Sequence, residues 1–558
     1  MVVANENEFV FLPMGGVGEI GMNLAAYGFG SSSFREWLLV DMGVSFAGSE
    51  LPGANLILPD IRFLENERHN IRGLILTHAH EDHYGAVLDL WPKLQVPVYC
   101  TPFTAGLLES KKQSDFRSYK VPLNIFRAGD SFEIGSFAVE AIAVNHSIPE
   151  SVSLAITTSL GTVIHTGDWK IDHTPSLGNL TDEKRFRALG NKGILALLCD
   201  STNACRDKKS PSEQQVQESL SEIISKAEGR VAIATFSSNV GRIRSIALAA
   251  QAAGRKVLVV GRSLKRSIMV AQELGYMDGL SSFITEEDYS YIPRKDIVLI
   301  VTGSQGEPRA ALAKLSRNEM GNIALSAGDA VIYSSRSIPG NEKSIIEIQN
   351  RFIDLGIKNI TNEDALTHVS GHPYRSELLQ MYDWVKPKIL VPVHGEAIHL
   401  TAQAALARQA GIKIVVDVRN GSMLRLAPDP VEVVDQVPVG RVYKDGCLIG
   451  NEDELGIRER RKLSYAGYVA VSFQINSKHD LLGDIGLTTF GLPESNGKGE
   501  SLKDILLNVV ENTIYNIPRI KRKNNELIRE AIRRAVRAAA YEVWQKKPIC
   551  MVFLHRSK

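Results

Sequence analysis

The chain of 558 residues has little that would tie it to a secreted, membrane-bound or disulfide-built protein. Its five cysteines, Cys100, Cys199, Cys205, Cys447 and Cys550, are scattered, odd in number and never spaced as CxxC. That argues against both a disulfide framework and a cysteine-zinc module. No apolar run approaches the ~18–20 residues needed to span a bilayer, so no membrane partner is expected. The opening residues, MVVANENEFVFLP, lack a basic segment followed by an apolar one, and no secretory signal is read there. A reducing cytoplasm fits these absences. Neither sign of charge is in excess. With 64 basic and 63 acidic residues the net charge is +1, which speaks neither for nor against a polyanionic partner. Internal repeats and low-complexity tracts are missing too.

What is present is an ordinary globular composition, 44% hydrophobic and 23% charged, on a chain too long for one core. The first part alternates short apolar runs with turn signals: Trp37–Val40, Leu74–Leu76, Val96–Tyr99, Phe137–Val144 and Ile194–Leu198. That is the pattern of a sheet-rich α/β sandwich. Further on, Val231–Thr235, Lys256–Val260, Ile297–Val301 and Ala330–Tyr333 each lead into a helix-like stretch, a doubly wound pattern. All 13 histidines fall outside residues 174–367. The simplest reading is a metal-binding domain (1–208) interrupted by an inserted domain (209–361), with the chain returning at 362–424 to finish the site. A connector, 425–463, ends in Arg458, Arg460, Arg461 and Lys462. A small α+β domain follows at 464–558. It has a strand at Tyr468–Ile475, a helix at Asn525–Gln545 and a closing strand at Met551–Leu554, with Ile528, Ile532, Val536, Ala539 and Val543 on one helix face.

The strongest chemical signal is His78-Ala79-His80-Glu81-Asp82-His83, directly after the apolar run Gly73–Thr77. Residues two apart in an extended segment point the same way, so His78 and His80 can grip one ion. As the chain turns, Asp82 and His83 can face a second. A solvated histidine-rich loop is the bland alternative, and this density of ligands makes it a poor one. Asp41, His146, Asp168 and His394 each sit where a strand gives way to a loop, where side chains from different strands converge. Taken singly, each is a weak signal.

In order and context these residues resemble the metallo-β-lactamase superfamily. The resemblance implies that His78, His80 and His146 hold one metal, while Asp82, His83 and His394 hold the other. Asp168 would bridge the ions and Asp41 would orient a ligand from behind. Two divalent ions per subunit are expected, with zinc first and manganese or magnesium as alternatives. A two-metal site lowers the pKa of a water and braces the attacking and leaving oxygens of an in-line displacement.

Leu197–Asn203, His368–His372 and His394 then resemble the added motifs of the β-CASP group of nucleic-acid-processing enzymes, which map onto Asp200, His372 and His394. Within that group the chain is similar to the ribonuclease J family through Gly15–Asn23, Thr302–Pro308, Ser334–Glu342 and His368–His372, and the likeness runs through most of its length. Departures are small: Trp169 stands where Phe is expected and Cys199 where Ser is. The implied fold is an αββα sandwich interrupted by a doubly wound β-CASP domain, plus a small α+β C-terminal domain. The implied activity is two-metal cleavage of RNA, with Asp82, Asp200 and His372 catalytic. It would run 5′-to-3′ on 5′-monophosphorylated single strands with some endonuclease activity, in RNA maturation and mRNA decay. A homodimer or homotetramer, and partners in an RNA-decay complex, are implied as well.

Phosphate contacts are read partly from the residues themselves. Gly303 and Ser304, Ser237, Ser238 and Asn239, and Ser334, Ser335 and Arg336 all follow apolar strands of the insert. In a doubly wound domain such strand ends face a common crevice. Helix caps and ordinary turns are the alternative at each. By resemblance, Ser370, Gly371 and His372 contact the scissile or terminal phosphate, and His368 either joins them or is structural. Arg519–Lys523 with Arg529, Arg533, Arg534 and Arg537 could attract RNA, although a solvated helix face is the favoured reading. Three other functions compete. A small-molecule lactamase or thioesterase is disfavoured by the long insert and the His372/His394 pair. An RNA-binding scaffold without catalysis and a DNA-directed nuclease stay open, and no residue here reads a 2′-hydroxyl.

Overall fold

The computed structural model describes residues 6–113, 120–338 and 340–557. Pro339 and the first five residues, both within segments read above, lie outside them. The chain forms two compact units, residues 1–45 with 58–441, and residues 46–57 with 442–558.

In the first unit two sheets face one another. An eight-stranded sheet has Glu8–Gly15, Leu24–Ser31, Phe34–Val40 and Ile71–Ile75 as its central strands. A seven-stranded sheet includes Phe137–Ala143, Val152–Thr158, Gly161–His165, Ala196–Asp200 and Ile389–Val393. Alternation along these strands sends Phe9, Phe11, Leu38 and Ile75 from one sheet, and Phe137, Leu154, Leu198 and Val391 from the other, into a shared dry core. The opposite face of the second sheet buries Ile142, Ile164 and Leu197 against Leu378, Met381 and Leu406 of the helices Arg375–Val385 and Ala397–Gln409.

The insert is a separate sheet of five parallel strands in the order Lys256–Val260, Ile297–Val301, Val231–Ala234, Ala330–Tyr333, Lys358–Ile360. It opens with the helix Glu213–Lys226, whose Ser212 cap and Gln215 form a reciprocal capping box. When the chain comes back, Ile389–Val393 pairs parallel to Ala196–Asp200 with Val393 opposite Asp200. The sheet is therefore continuous across the interruption.

Residues 425–436, within the stretch read as a connector, carry regular structure. Ser422–Ala427 pairs with Glu8–Gly15, and Glu432–Gln436 extends the same sheet as an edge strand.

In the second unit three strands, Leu481–Phe490, Tyr468–Ile475 and Ile549–Arg556, pack under the helices Leu502–Asn516 and Asn525–Trp544. Val469, Val471 and Phe473 meet Leu506, Val510, Ile528, Ile532 and Val536 there, so the apolar stripe of the last helix is used inside the subunit. The basic residues around it are mostly engaged. Arg519 pairs with Asp480, Arg529 with Glu526, and both Arg533 and Arg534 with Glu530, while buried Arg522 donates to the carbonyls of Ile517 and Tyr515. Residues 46–57 cluster with this unit: Arg460 Nη1 donates to Pro52 O at 3.1 Å and Arg461 Nε to Glu50 O at 2.9 Å. Among the described residues no helix is long and apolar enough to cross a membrane.

The insert is tied to the returning chain by one fully buried arginine. Arg242 Nε and Nη2 donate to Glu213 Oε2 at 3.1 and 2.8 Å, and Nη1 donates to Ser334 Oγ at 2.7 Å and Thr367 O at 2.9 Å. Removing one member of a buried ion pair strands the other without hydration. Arg242→Met is expected to lower stability by about 3–5 kcal/mol, read as a lower urea midpoint in tryptophan fluorescence.

Candidate metal centre

Parallel strands deliver the candidate residues to one edge of the sandwich. Ile71–Ile75 runs parallel to Phe34–Val40, so Asp41 and the segment Thr77–His78 leave the sheet side by side. Asp41 has a left-handed backbone, φ 62°. For a non-glycine residue such a conformation costs on the order of 1–3 kcal/mol and persists only when its surroundings fix it. Here they do: Asp41 Oδ1 accepts the Thr77 N–H at 2.8 Å and Oδ2 accepts His83 Nδ1–H at 2.7 Å. His80 then stands just before the short helix Glu81–Tyr84, which turns Asp82 and His83 inward. Gly43 lies against this turn so closely that a Cβ there would come within 1.7 Å of Asp82 O.

The second sheet contributes from the facing side. Gly161–His165, Ala196–Asp200 and Ile389–Val393 are parallel neighbours, and the residues beyond their ends are Asp168, Asp200 itself and His394. His394 is also left-handed, φ 52°.

Two ligand sets result, His78, His80, His146 and Asp168, and Asp82, His83, Asp168 and His394, each with its donor atoms within 4.8 Å of one another, and a third group equally close, Asp168, Asp200, His372 and His394, overlaps the second. His80 Nδ1 lies 3.0 Å from both His78 Nε2 and His146 Nε2. Asp168 is common to the sets. Its Oδ2 is 3.2 Å from His83 Nε2, 3.6 Å from His146 Nε2 and 3.8 Å from His78 Nε2. Its Oδ1 is buried without a hydrogen-bond partner, 3.6 Å from His394 Nε2. The outward ring nitrogens are anchored: His78 Nδ1 on the Thr77 hydroxyl (3.0 Å), His83 Nδ1 on Asp41 (2.7 Å), His146 Nδ1 on Gly371 O (2.6 Å) and His394 Nδ1 on the Thr202 hydroxyl (2.7 Å). Such outer bonds fix ring and tautomer and leave Nε2 facing inward. Imidazole nitrogens converging on one another and on Asp168, with a buried carboxylate oxygen that has no donor, fit a divalent cation.

Electrostatics separates the two sets. Burial pushes the His80 imidazole down to about 4 against the pull of Asp82 and Asp168, and drives His78 and His146 well below their usual range. Those rings are neutral, the form that binds metal. At His83 and His394 burial acts the same way, but the carboxylates outweigh it, Asp168 foremost, and both rings are raised. Asp82 is lowered in turn: burial opposes its ionisation, and the charges of His83 and His394 overcome that.

Beside these sets stands a dyad. His372 Nδ1–H donates to Asp200 Oδ2 at 2.7 Å, and Asp200 Oδ1 accepts the Thr202 N–H at 2.9 Å. The His372 ring stacks on that of His394, 5.4 Å between centroids. Burial would lower the His372 pKa, but Asp200 and Asp168 raise it.

The residues read as phosphate contacts divide. Arg336, Ser370, Gly371 and His372 are drawn together by Asn203, which accepts from Arg336 Nη1 at 3.1 Å and donates to Ser370 Oγ at 2.8 Å and His372 O at 3.2 Å. Asn239 and Ser334 use their side chains within the protein. The first caps a helix by accepting the Arg242 N–H at 2.9 Å, and the second donates to Thr367 O at 2.7 Å. Ser237, Ser238 and Ser335 are half-buried at strand ends, and Gly303 and Ser304 form the buried turn after Ile297–Val301. His368 is half-buried, with Nδ1 lacking a partner, and the charges of Arg242, Lys170, Arg336 and Arg206 help burial keep it neutral. Thr77, Thr202 and Asn203 were not singled out in the sequence. Their one signal is closeness along the chain: Thr77 directly precedes His78, and Thr202 and Asn203 lie two and three residues after Asp200.

A two-sheet sandwich with this edge, interrupted by a parallel-sheet insert, defines a metallo-β-lactamase-type hydrolase with a β-CASP domain. Family models agree along the chain: the beta-lactamase superfamily domain over residues 36–235, the ribonuclease J beta-CASP domain over 228–352, the Zn-dependent metallo-hydrolase RNA specificity domain over 364–417, and the ribonuclease J C-terminal domain over 455–557. A ribonuclease J from Sinorhizobium meliloti is 59% identical over 552 residues, covering 99% of this chain and 98% of its own. One from Mycolicibacterium smegmatis is 40% identical, covering 83% and 82%, and one from Helicobacter pylori 33%, covering 97% and 79%. The chain belongs to the ribonuclease J family. A solved structure of a protein of unknown function from Enterococcus faecalis V583 shares the fold, with a TM-score of 0.52 at 16% identity over 75% of this chain and 100% of its own.

Gly371 packs directly on a ligand ring: a Cβ there would lie 2.7 Å from His146 Nδ1 and Cε1. Gly371→Ala is expected to displace the His146 ring and weaken zinc binding about 10–100-fold, the usual cost of losing an outer-shell partner, measured by competition with a chromophoric chelator.

Proposed function

We propose that this protein is a two-ion ribonuclease, degrading 5′-monophosphorylated single-stranded RNA from its 5′ end and cleaving internally at the same centre. It works in the cytoplasm as a homodimer or homotetramer within RNA maturation and mRNA decay. The observation that carries the reading is the His372–Asp200 dyad, hydrogen-bonded at 2.7 Å and stacked against the His394 end of the ligand cluster. In this reading His78, His80 and His146 hold one ion, Asp82, His83 and His394 the other, and Asp168 serves both. Zinc suits the imidazole-rich donors, with manganese or magnesium as alternatives. When bound, the ions supply positive charge to the phosphate and lower the pKa of the attacking water.

The chain's own residues do the rest. Asp200 holds the His372 ring by Nδ1 and favours its cationic form, leaving Nε2–H to donate to the scissile phosphate or the leaving oxygen. Arg336, Ser370 and the backbone at Gly371, gathered by Asn203, present donors to a phosphate beside that ring. In this reading the half-buried Ser237, Ser238, Ser335 and His368 lie along the approach, while Asn239, Gly303, Ser304 and Ser334 shape it from within the protein. Hydroxyl, guanidinium and backbone donors of this kind suit phosphate oxygens, which fits a substrate recognised by its backbone. Support for RNA over DNA comes from the family, which includes a ribonuclease J at 59% identity.

The test uses short single strands, RNA and DNA, with 5′-monophosphate or 5′-triphosphate ends, and zinc or manganese supplied. Mononucleotides are expected from monophosphorylated RNA, with chelator abolishing them. Asp82→Ala should be inactive, and His372→Ala slower by about 10²–10⁴-fold, the range for losing a general acid. RNA binding without cleavage under either metal would leave a scaffold instead, and equal cleavage of DNA would make this a general nuclease.

A further inference from the structure

Behind the second ligand set, away from the dyad, the sandwich core contains a polar pair that the proposed chemistry leaves unused. Tyr27, from Leu24–Ser31 of the eight-stranded sheet, and His165, the last residue of Gly161–His165 in the seven-stranded sheet, meet across the core, with Tyr27 Oη 2.8 Å from His165 Nδ1. Their neighbours are Phe9, Phe11, Val40 and Leu154. Burying a hydroxyl and an imidazole in such company is unfavourable unless every polar atom finds a partner. An apolar pair of the same shape would fill the space without that demand.

Only one side of the imidazole is accounted for by the tie between the sheets. Nδ1 is taken by Tyr27, and Nε2 is left. His165 is 8% exposed although it sits in the core, and it lines a partly open cavity of about 30 Å³. The same cavity is lined by Asp41, His83, Asp168, His394 and Asn23. Each water needs roughly 10–15 Å³ and two or more polar partners. This cavity offers both.

We propose that Tyr27 and His165 are a buried positioning pair for the Asp82–His83–His394 set, acting through water held in this cavity. The pair fixes the water, and the water fixes the inner flank of the ligands that face it. This rests on the two-ion reading above. It differs from a merely structural cross-sheet bond in which atom matters: a structural tie needs Nδ1, whereas positioning needs Nε2.

The test separates those atoms. His165→Asn keeps a polar group near Nδ1 for Tyr27 and removes the cavity-facing nitrogen. His165→Gln keeps a polar group toward the cavity, and Tyr27→Phe releases the ring without changing the packed volume. Zinc stoichiometry and the affinity of each ion are measured by chelator competition, with the visible spectrum of the cobalt-substituted protein as a second readout. Expected is a protein whose thermal midpoint is kept but whose weaker ion binds about 10–100-fold less tightly in His165→Asn, with a changed cobalt spectrum and recovery in His165→Gln. Tyr27→Phe should show a smaller loss of the same kind. Two ions bound with unchanged affinity in both His165→Asn and Tyr27→Phe would overturn the pair's role alone. An unsubstituted protein that binds only one ion would overturn the two-ion reading and the pair's role with it.

Discussion

Four carboxylates, Asp41, Asp82, Asp168 and Asp200, are held out of bulk water at one edge of a sandwich, and three of them are almost wholly buried. Left to themselves they would repel and would lose hydration worth several kcal/mol each. Imidazoles answer this at every step: His83 bonds to Asp41, His372 to Asp200, and His394 stands between Asp82 and Asp168. Most of the local architecture follows from that requirement. The left-handed backbones at Asp41 and His394 aim side chains that a relaxed strand end would send elsewhere. Threonine hydroxyls at positions 77 and 202 sit where an outward ring nitrogen needs an oxygen. Satisfaction stays incomplete within the protein, since Asp168 keeps an orphaned oxygen, a gap that suits a divalent metal.

The insert changes what this edge can do without supplying any residue of either ligand set. It brings Arg336 against Asn203, and through Arg242 it holds Thr367 just before the segment that carries Ser370, Gly371 and His372. A hydrolytic centre of a general kind thereby has Arg336 and the Ser370–His372 segment set beside it, donors of the kind that suit phosphate. Arg242 acts here as a clamp whose worth lies in where it puts the backbone.

Much of this was legible in the sequence, and the limits have physical causes. The cluster at 78–83 was readable because its ligands are local and their spacing is fixed by an extended strand and a single turn. The insert's strands Lys256–Val260, Ile297–Val301 and Ala330–Tyr333 have the bounds expected of them, since a parallel strand buried on both faces is an unbroken apolar run. Leu481–Phe490 escaped notice because Gly483, Asp484 and Gly486 break its alternation on an exposed edge. The helix Leu502–Asn516 buries just Leu502, Leu506, Val510 and Ile514, a narrow stripe whose period is blurred by Ile505, Leu507 and Val509 beside it. Partners such as Asn203, and the internal use of Asn239 and Ser334, depend on register between distant strands, which no local pattern encodes. Residues 46–57, early in the chain, cluster with its last part through arginines of a segment that reads as a charged connector.

The sheet that closes across the insert also sets a timetable. Asp200 lies before the interruption, while His372 and His394 come after it, with Thr202 and His394 separated by 192 positions. At about 5–20 residues per second of synthesis, the ribosome takes on the order of 10–40 seconds to cross that gap. Throughout that interval the nascent chain has its first histidine cluster but neither the dyad nor the second ligand set. A nuclease built this way is born inert beside its own message, and becomes complete only after most of the chain has left the tunnel.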